Sequence, residues 1–329
     1  MGLRNHVVVV TGASSGIGRA TAEAFARKGC AVVLASRREE ALEAAAQECR
    51  KHRGARTLVV PTDTTDVRAV EDLARRAVAE FGRIDVWVNN AAVNAYGRFE
   101  DVPLEDFRKV LDVNVMGYVH GARAALRVMR QQGSGTLINI SSVAGAVSQP
   151  YSHPYSMSKH AVQGLGSSLR QQLRVEGVKG IHVCTVMPAT IDTPHFEQAA
   201  NFTGRKVVAM PPVYSPERVA RAVVDLVGHP RRERVVGPTG RALVRESRMA
   251  PGIAERTMAW QTDRSHLDHH EEAPATHGAL HVPAPGEGAV HGGWHGRRRT
   301  AMRRTAVAAA LTGAAVTAGR RVSRGLSRV

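Results

Sequence analysis

The sequence is poor in cysteine and aromatic residues and has no long hydrophobic run. Its three cysteines, Cys30, Cys49 and Cys184, lie far apart, and their spacing fits neither a metal-binding nor a redox motif. This excludes a disulfide framework and indicates a reducing compartment. No apolar leader of the secretory type precedes the first strand pattern, so we expect a cytoplasmic protein.

Acidic residues are missing from the last part of the chain, where none follows Glu287. Nine arginines do follow it: Arg297, Arg298, Arg299, Arg303, Arg304, Arg320, Arg321, Arg324 and Arg328. This stretch carries over half of the formal net charge of +16, and the remaining chain is only mildly basic. The charge therefore belongs to a tail and is no evidence that the folded body binds nucleic acid.

The tail, residues 297–329, contains a small, uncharged, Ala-rich stretch at 305–319 between arginine pairs. As a helix it would span about 22 Å, less than the roughly 30 Å of a bilayer core, so we expect no transmembrane span. Three interpretations stay open: a solvated or partner-bound helix, weak peripheral contact with an anionic membrane surface, or non-specific phosphate binding. No aromatic platform accompanies the arginines, and we expect no specific nucleic-acid partner.

The first two-thirds of the chain alternate short apolar runs with longer amphipathic ones. Strands are predicted at 6–10, 31–35, 57–60, 86–88, 136–140, 181–186 and 234–236, and helices at 16–28, 39–52, 67–81, 104–130, 155–175, 216–227 and 241–260. Strict alternation of strand and helix predicts an α/β fold, a doubly wound parallel sheet covered by helices on both faces.

The composition divides the chain into three parts. Residues 1–260 are predicted to form one catalytic domain. Residues 261–296 are rich in His, Pro and Gly and are predicted to be a disordered linker before the tail. Seven of the fifteen histidines lie between His266 and His295, but their irregular spacing and the predicted disorder favour no metal site.

A glycine-rich loop follows the first strand and opens the first helix, with the sequence Thr11-Gly12-Ala13-Ser14-Ser15-Gly16-Ile17-Gly18. Glycines let the backbone approach a pyrophosphate, and the helix N-terminus offers free N–H groups and a partial positive charge. In this strand-to-helix context the loop predicts a dinucleotide site. Its predicted contact residues are Gly12, Ser14, Ser15, Gly16, Ile17 and Gly18.

The spacing T-G-x-x-x-G-x-G resembles that of the short-chain dehydrogenases/reductases. The resemblance extends over about residues 1–240 through Asp63, Asn89-Asn90-Ala91-Ala92, Asn114, Ser142, Tyr155, Lys159 and the stretch from Pro188 to Thr193. It implies a Rossmann fold, a nicotinamide cofactor, and an oxidoreductase of alcohols and carbonyls. It also implies that Asp63 contacts the adenine, that Asn90 lines the adenosine side, and that Pro188, Ile191 and Thr193 lie near the nicotinamide.

The end of the second strand favours NADP(H) over NAD(H). An NAD-binding enzyme is expected to have an acidic residue near Ser36 for the ribose 2′-hydroxyl. Here Ser36 is neutral and is followed by Arg37 and Arg38, whose guanidinium groups suit a 2′-phosphate. The alternative is that both arginines merely begin a solvated helix.

Tyr155 and Lys159 are four residues apart at the start of a helix and therefore share one face. An unperturbed phenol has a pKa of about 10, and a neighbouring ammonium is expected to lower it. This predicts Tyr155 as the general acid for carbonyl reduction and the general base for alcohol oxidation.

The family resemblance adds two residues to this pair. It implies that Ser142 hydrogen-bonds the substrate oxygen, with Ser141 as the alternative, and that Asn114 holds a water linking Lys159 to solvent. Lys159 is further expected to bond the nicotinamide ribose. A rival interpretation is a catalytically silent dinucleotide-binding sensor or scaffold, although such a protein is free to lose Ser142, Tyr155 or Lys159, and this chain has all three.

The substrate is less well specified. Residues 194–214 are predicted to form a lid whose apolar side chains, Phe196 among them, favour a partly apolar alcohol or ketone. His153 is a weaker candidate for substrate contact. By analogy with the family, a homodimer or homotetramer is expected to form through the helices at 104–130 and 155–175. An epimerase of the extended relatives is disfavoured, because its loop has the spacing T-G-x-x-G-x-x-G.

Overall fold

The computed structural model describes residues 2–294, in which strands and helices alternate. The strands in chain order are β1 Val7–Thr11, β2 Ala31–Ser36, β3 Arg56–Pro61, β4 Val86–Asn89, β5 Ala95–Tyr96, β6 Gly135–Ile140, β7 Ile181–Pro188, β8 Ala200–Asn201, β9 Arg205–Val207, β10 Glu233–Val236 and β11 Leu267–Glu272. The α-helices are α1 Gly16–Ala26, α2 Glu39–Arg50, α3 Val67–Phe81, α4 Leu104–Leu111, α5 Gly117–Gln132, α6 His153–Val175, α7 His195–Gln198, α8 Pro216–Gly228, α9 Pro238–Met249 and α10 Pro251–Ser265.

Seven of these strands form one parallel sheet in the order β10-β7-β6-β4-β1-β2-β3. The chain runs outward from β1 to β3 and then returns to β4 on the other side of β1. In doubly wound sheets this reversal opens a crevice at the carboxyl ends of the strands, where ligands bind. The predicted doubly wound α/β fold is confirmed.

The core lies on both faces of the sheet. In β1 all five residues are buried; Val8 and Val10 belong to one apolar cluster, and Val7 and Val9 to the other. Successive side chains of a strand point to opposite faces, so a β-branched run without polar interruption fits a strand covered by helices on both sides.

The helix predicted at 104–130 is interrupted by a π-helical turn at Asp112–Met116, which joins α4 to α5. A π-turn inserts an extra residue into a helix and often marks a functional site. This one carries Asn114, which is fully buried. The helix predicted at 241–260 is also divided, because Pro251 starts α10 directly after α9.

Residues 261–294 pack against the body, so the prediction of a disordered linker at 261–296 is wrong for this part of the chain. Helix α10 continues through the predicted boundary to Ser265, and β11 pairs antiparallel with β9. The remaining residues, 273–294, have no further regular structure and are called the covering segment below. Its Leu280 is fully buried in a cluster with Val102 and Val110, and this contact helps to offset the entropy of ordering the segment. The tail at 297–329 lies outside the described residues.

Leu280 and Val282 provide a matched test of this docking. Leu280 is fully buried, whereas Val282 is 73% exposed. Truncating a buried Leu costs about 2–5 kcal/mol, so we expect Leu280→Ala to accelerate amide hydrogen exchange in residues 276–290 by roughly 30-fold or more. Val282→Ala should leave the exchange unchanged. Equal exchange in both variants and the wild type would mean that the covering segment is not docked.

Candidate active site

The glycine-rich loop between β1 and α1 is held by close backbone packing. Gly12 has a left-handed φ of +65°, and a Cβ on Gly18 would lie 2.1 Å from the carbonyl oxygen of Gly12. No side chain larger than hydrogen fits at position 18 without moving the loop. The loop therefore needs its glycines for its own geometry, and this packing brings the N-terminus of α1 to the cleft.

Asn90 and Asp63, which follow β4 and β3, line the same crevice. The Asn90 side chain donates to the carbonyl oxygens of Thr11 (2.9 Å) and Gly12 (3.3 Å), so it supports the glycine-rich loop. Asp63 accepts hydrogen bonds from the Thr65 amide and hydroxyl. Burial raises the pKa of the Asp63 carboxyl, but the bonds from Thr65 and nearby cations outweigh this, and the pKa is lowered.

Arg37 and Arg38 lie at the mouth of the cleft, where the covering segment contacts both. The Arg37 guanidinium donates to the carbonyl oxygens of Ala279, Leu280 and His281 at 2.9–3.2 Å. Arg38 donates to the Ser14 hydroxyl at 3.1 Å, and its pKa is lowered by burial and by Arg37 and Arg19. Sequence reasoning found these arginines but did not anticipate their contacts with the segment.

The covering segment also reaches the glycine-rich loop. The backbone amide of Gly16, at the start of α1, donates to the carbonyl oxygen of Ala289 at 2.8 Å. Arg19 donates to the carbonyl oxygens of Glu287 and Gly288 at 3.1 Å each. The segment thus runs across the end of the crevice that the glycine-rich loop forms.

Tyr155, Ser142 and Lys159 meet beside the glycine-rich loop. The Ser142 hydroxyl lies close enough to the Tyr155 phenol to lower the pKa of that phenol, and the Lys159 ammonium lies 5.3 Å from the centre of the phenol ring. Lys159 is fully buried and donates to the carbonyl oxygen of Ile140 at 3.0 Å and the Tyr118 hydroxyl at 3.4 Å. Ser141 is turned away, because its hydroxyl donates to the carbonyl oxygen of Lys159, so Ser142 is the serine at the phenol.

Burial dominates the protonation of this cluster. It raises the pKa of Tyr155 to about 12, an effect that the hydrogen bond from Ser142 opposes. It lowers the pKa of Lys159 to about 7. The direction for Tyr155 is opposite to the one predicted from its neighbouring ammonium, because desolvation of the phenolate is the largest effect on its pKa. Tyr155 is therefore a phenol at neutral pH and is ready to donate a proton.

Asn114 supports the cluster from behind. Its side chain exchanges two hydrogen bonds of 2.9 Å with the backbone of Val93 and donates to the Ser158 hydroxyl at 3.0 Å. Ser158 is the neighbour of Lys159 on α6, so Asn114 ties the π-turn to the helix that carries Tyr155 and Lys159. It does not line the cleft itself.

The stretch after β7 lines the crevice next to the glycine-rich loop. Ile191 is buried and forms an isolated bridge with Tyr214. Thr193 lies directly against Gly16 of the glycine-rich loop, within about 3 Å of where a Cβ would be.

These elements enclose one cleft of about 560 Å³, a size typical of a small-molecule or cofactor site. Most predicted site residues line it: Gly12, Ser14, Ser15, Gly16, Ile17, Arg37, Arg38, Asp63, Asn90, Ser142, Tyr155, Lys159, Pro188, Ile191, Thr193 and Phe196. The covering segment contributes Ala279, Pro283 and Ala284 to its wall. The structure thus brings together residues that are spread over almost the whole chain.

His153 is not among the cleft-lining residues and packs edge-to-face against Phe99. Two other histidines line the cleft instead, His195 and His266. The His195 ring centre lies 5.6 Å from that of Tyr155, and its pKa is lowered to about 4 by burial and by Lys159 and His266. Burial likewise lowers the pKa of His266 to about 4. Sequence reasoning missed both, because neither belongs to a motif and His266 falls in the predicted linker.

Comparison with known proteins agrees with this architecture. A family model for short chain dehydrogenases matches residues 6–203. The uncharacterized oxidoreductase YxnA of Bacillus subtilis is 36% identical over 258 residues, 78% of this chain and 72% of the relative. An uncharacterized oxidoreductase of Staphylococcus haemolyticus is 32% identical over 69% of this chain and 93% of the relative.

Two solved structures are similar to the chain. A short chain dehydrogenase/reductase from Burkholderia phymatum in complex with NAD has a TM-score of 0.70 at 29% sequence identity. The match covers 77% of this chain and 96% of the Burkholderia chain. An alcohol dehydrogenase from the archaeon Thermococcus sibiricus complexed with 5-hydroxy-NADP has a TM-score of 0.61 at 27% identity, covering 71% and 95%.

The chain therefore belongs to the short-chain dehydrogenase/reductase family. It is an oxidoreductase acting on CH–OH or C=O groups with a nicotinamide cofactor. Among the described residues, none of the helices combines the length and the apolar character needed to cross a membrane.

The buried ammonium of Lys159 gives a testable signature in stability. Its folded pKa of about 7 lies below the ordinary 10.5, so between these values the unfolded chain binds more protons and the free energy of unfolding rises with pH. We expect the wild type to gain up to about 1.4 kcal/mol per pH unit relative to Lys159→Met over this window, measured by denaturant titration at several pH values. Parallel pH profiles for the two proteins would contradict the burial of a charged Lys159.

Proposed function

We propose that this protein is an NADP(H)-dependent oxidoreductase of a carbonyl or secondary alcohol, with Tyr155 as the general acid and base. The observation that carries the proposal is the convergence of Ser142, Tyr155 and the fully buried Lys159 on one cleft, with the Lys159 ammonium 5.3 Å from the centre of the phenol ring. The three side chains share one cleft with the glycine-rich loop. A substrate oxygen bound there would be within reach of both hydroxyl groups.

Each residue has a separate role in carbonyl reduction. The bound nicotinamide supplies the hydride. The Tyr155 Oη–H, protonated at neutral pH, donates its proton to the substrate oxygen. Ser142 orients that oxygen and offers a second hydrogen bond where negative charge develops. Lys159 holds the cofactor's ribose, and Asn114 fixes the helix that carries Tyr155 and Lys159. In alcohol oxidation the Tyr155 phenol first releases its proton to solvent, and the phenolate then accepts the proton of the substrate hydroxyl.

The residues of the cleft suit NADP(H). A pyrophosphate on the loop has to displace the Ala289 carbonyl from the Gly16 amide, and the guanidinium groups of Arg37 and Arg38 lie on the cleft wall beside a neutral Ser36. Two cations and no carboxylate at the end of β2 favour a 2′-phosphate. Because Arg37 donates to carbonyls of the covering segment, a 2′-phosphate has to share or displace these bonds.

Replacing the proton donor tests the chemistry. We expect Tyr155→Phe to lower the rate of carbonyl reduction by about 10²–10⁴-fold and to leave NADPH affinity within a few-fold of wild type. Turnover is followed by NADPH absorbance over a panel of ketones and aldehydes. The matched control is Tyr214→Phe, which removes a tyrosine hydroxyl group from a side chain that does not line the cleft.

The same substrate panel distinguishes the proposed oxidoreductase from the rival interpretation, a silent dinucleotide-binding sensor or scaffold. That protein would bind NADPH but reduce no substrate, and Tyr155→Phe would then change nothing. Turnover that survives in Tyr155→Phe at the wild-type rate would also remove Tyr155 from the proposed mechanism.

Reversing the charge at position 37 tests the cofactor preference. A charged hydrogen bond contributes about 1.5–3 kcal/mol, so Arg37→Asp should weaken NADPH binding by roughly 10- to 100-fold and leave NADH binding equal or stronger. Fluorescence titration of both cofactors measures this. Arg68→Asp makes the same charge change at the exposed start of α3 and should alter neither affinity. Equal losses for NADPH and NADH in Arg37→Asp would contradict a 2′-phosphate contact.

We also propose a homodimer or homotetramer that pairs through α4, α5 and α6, as the family commonly does. These helices carry the exposed apolar side chains of Leu104, Met116, Met157 and Val175 at or near their surfaces, which a partner subunit would cover. Peripheral membrane contact through the tail, and cytoplasmic location, stay as predictions from the sequence.

A further inference from the structure

We propose that Asp106, His277 and His281 form a binding site for one divalent transition-metal ion, and that this ion is Zn²⁺. The bound ion fastens the covering segment over the cleft. One carboxylate oxygen of Asp106 and one ring nitrogen of each histidine lie within 4.8 Å of one another. The ligand set joins residues 171 and 175 positions apart in the chain. Sequence spacing alone favoured no metal here.

Asp106 is the unusual member of this cluster. Its side chain, on α4, is fully buried, and an ionised carboxylate needs compensating partners when it is removed from water. The two imidazoles provide them: His277 Nδ1 lies 2.9 Å from one carboxylate oxygen, and His281 Nε2 lies 2.6 Å from the other. Each of the two oxygens of the buried carboxylate thus contacts one imidazole nitrogen, an atom type that can bind a metal ion.

The loop that carries the two histidines is fixed independently of them. Asn201 and Thr276 exchange two backbone hydrogen bonds, and Leu280 is fully buried. Gly278 has φ of +53°, and a Cβ there would lie 2.5 Å from the carbonyl oxygen of Gln198. The histidine at 277 further packs edge-to-face against Phe202. A site whose ligands are positioned by surrounding contacts binds a metal without the cost of ordering a flexible loop.

The chemistry of the ligands selects the class of ion. Two imidazoles and one carboxylate with an open fourth position match the three-ligand pattern that zinc proteins use, with Zn–N and Zn–O bonds of about 2.0–2.2 Å. Calcium and magnesium prefer all-oxygen sets. The histidine side chains are 55% and 42% exposed, so solvent reaches the fourth position.

The position of the site gives it a consequence. His281 lies next to Leu280 and Ala279, and the carbonyl oxygens of all three hold Arg37. A few residues later the segment reaches Gly16 of the glycine-rich loop. An ion that joins His277 and His281 to α4 therefore holds the segment at the point where it enters the cleft, and the ion makes opening of the cofactor site slower.

The test uses the tag-free full chain, stripped with chelator and titrated with ZnCl₂ by calorimetry. We expect the wild type to bind one Zn²⁺ ion per chain with high affinity. In the double variant His277→Ala/His281→Ala the Zn²⁺ affinity should fall by more than about 10-fold. The control is His269→Ala/His270→Ala, which removes two exposed histidines of β11 outside the cluster and should retain the ion. Co²⁺ in place of Zn²⁺ should show visible absorption bands of a low-symmetry four-coordinate site in the wild type and the control only.

Amide hydrogen exchange of residues 273–294 tests the fastening, with no nicotinamide cofactor present, so that failure of the proposed oxidoreductase chemistry does not affect the result. Zn²⁺ should slow this exchange in the wild type and the control and leave it unchanged in the double variant at 277 and 281. Equal Zn²⁺ affinity in all three proteins, or no binding in any, would overturn the metal site. Loss of the ion in the double variant without any change of exchange in the wild type would overturn the fastening.

Discussion

The burial of the Lys159 ammonium is the constraint on which the active site depends. A cation removed from water is stable only where polar groups surround it, and here the Ile140 carbonyl at the end of β6 and the Tyr118 hydroxyl on α5 provide them. This requirement fixes α6 against the carboxyl end of β6. Because Tyr155 lies one turn earlier on the same helix, the phenol is fixed too, next to the Ser142 hydroxyl that follows β6.

The same burial sets the chemistry of the pair. Burial away from water disfavours both the phenolate of Tyr155 and the ammonium of Lys159. The pKa of Tyr155 therefore rises to about 12 and that of Lys159 falls to about 7, which reverses their usual order. The phenol keeps its proton through the neutral range and the ammonium gives its proton up easily.

The second organising feature is the covering segment, whose backbone forms hydrogen bonds with charged side chains of the body. Arg19 and Arg37 donate to its carbonyl oxygens. At its far end, the buried carboxylate of Asp192 accepts from the backbone amides of Gly292 and Trp294. With little apolar area to bury and no regular secondary structure, the segment is held by these polar contacts and by Leu280. It connects the cofactor end of the cleft to the cluster of Asp106, His277 and His281.

Local pattern determined the sheet, the glycine-rich loop and the pairing of Tyr155 with Lys159, because period, turn chemistry and motif spacing are properties of neighbouring residues. Ser142 was added by the resemblance to the family. Tertiary structure alone decided the rest. The π-turn at Asn114, the approach of His195 to Tyr155 and the contacts of residues 277–294 join positions far apart in the chain, and no local signal encodes them. A segment rich in His, Pro and Gly was expected to be disordered because its own composition provides little core; the folded body provides the partners instead.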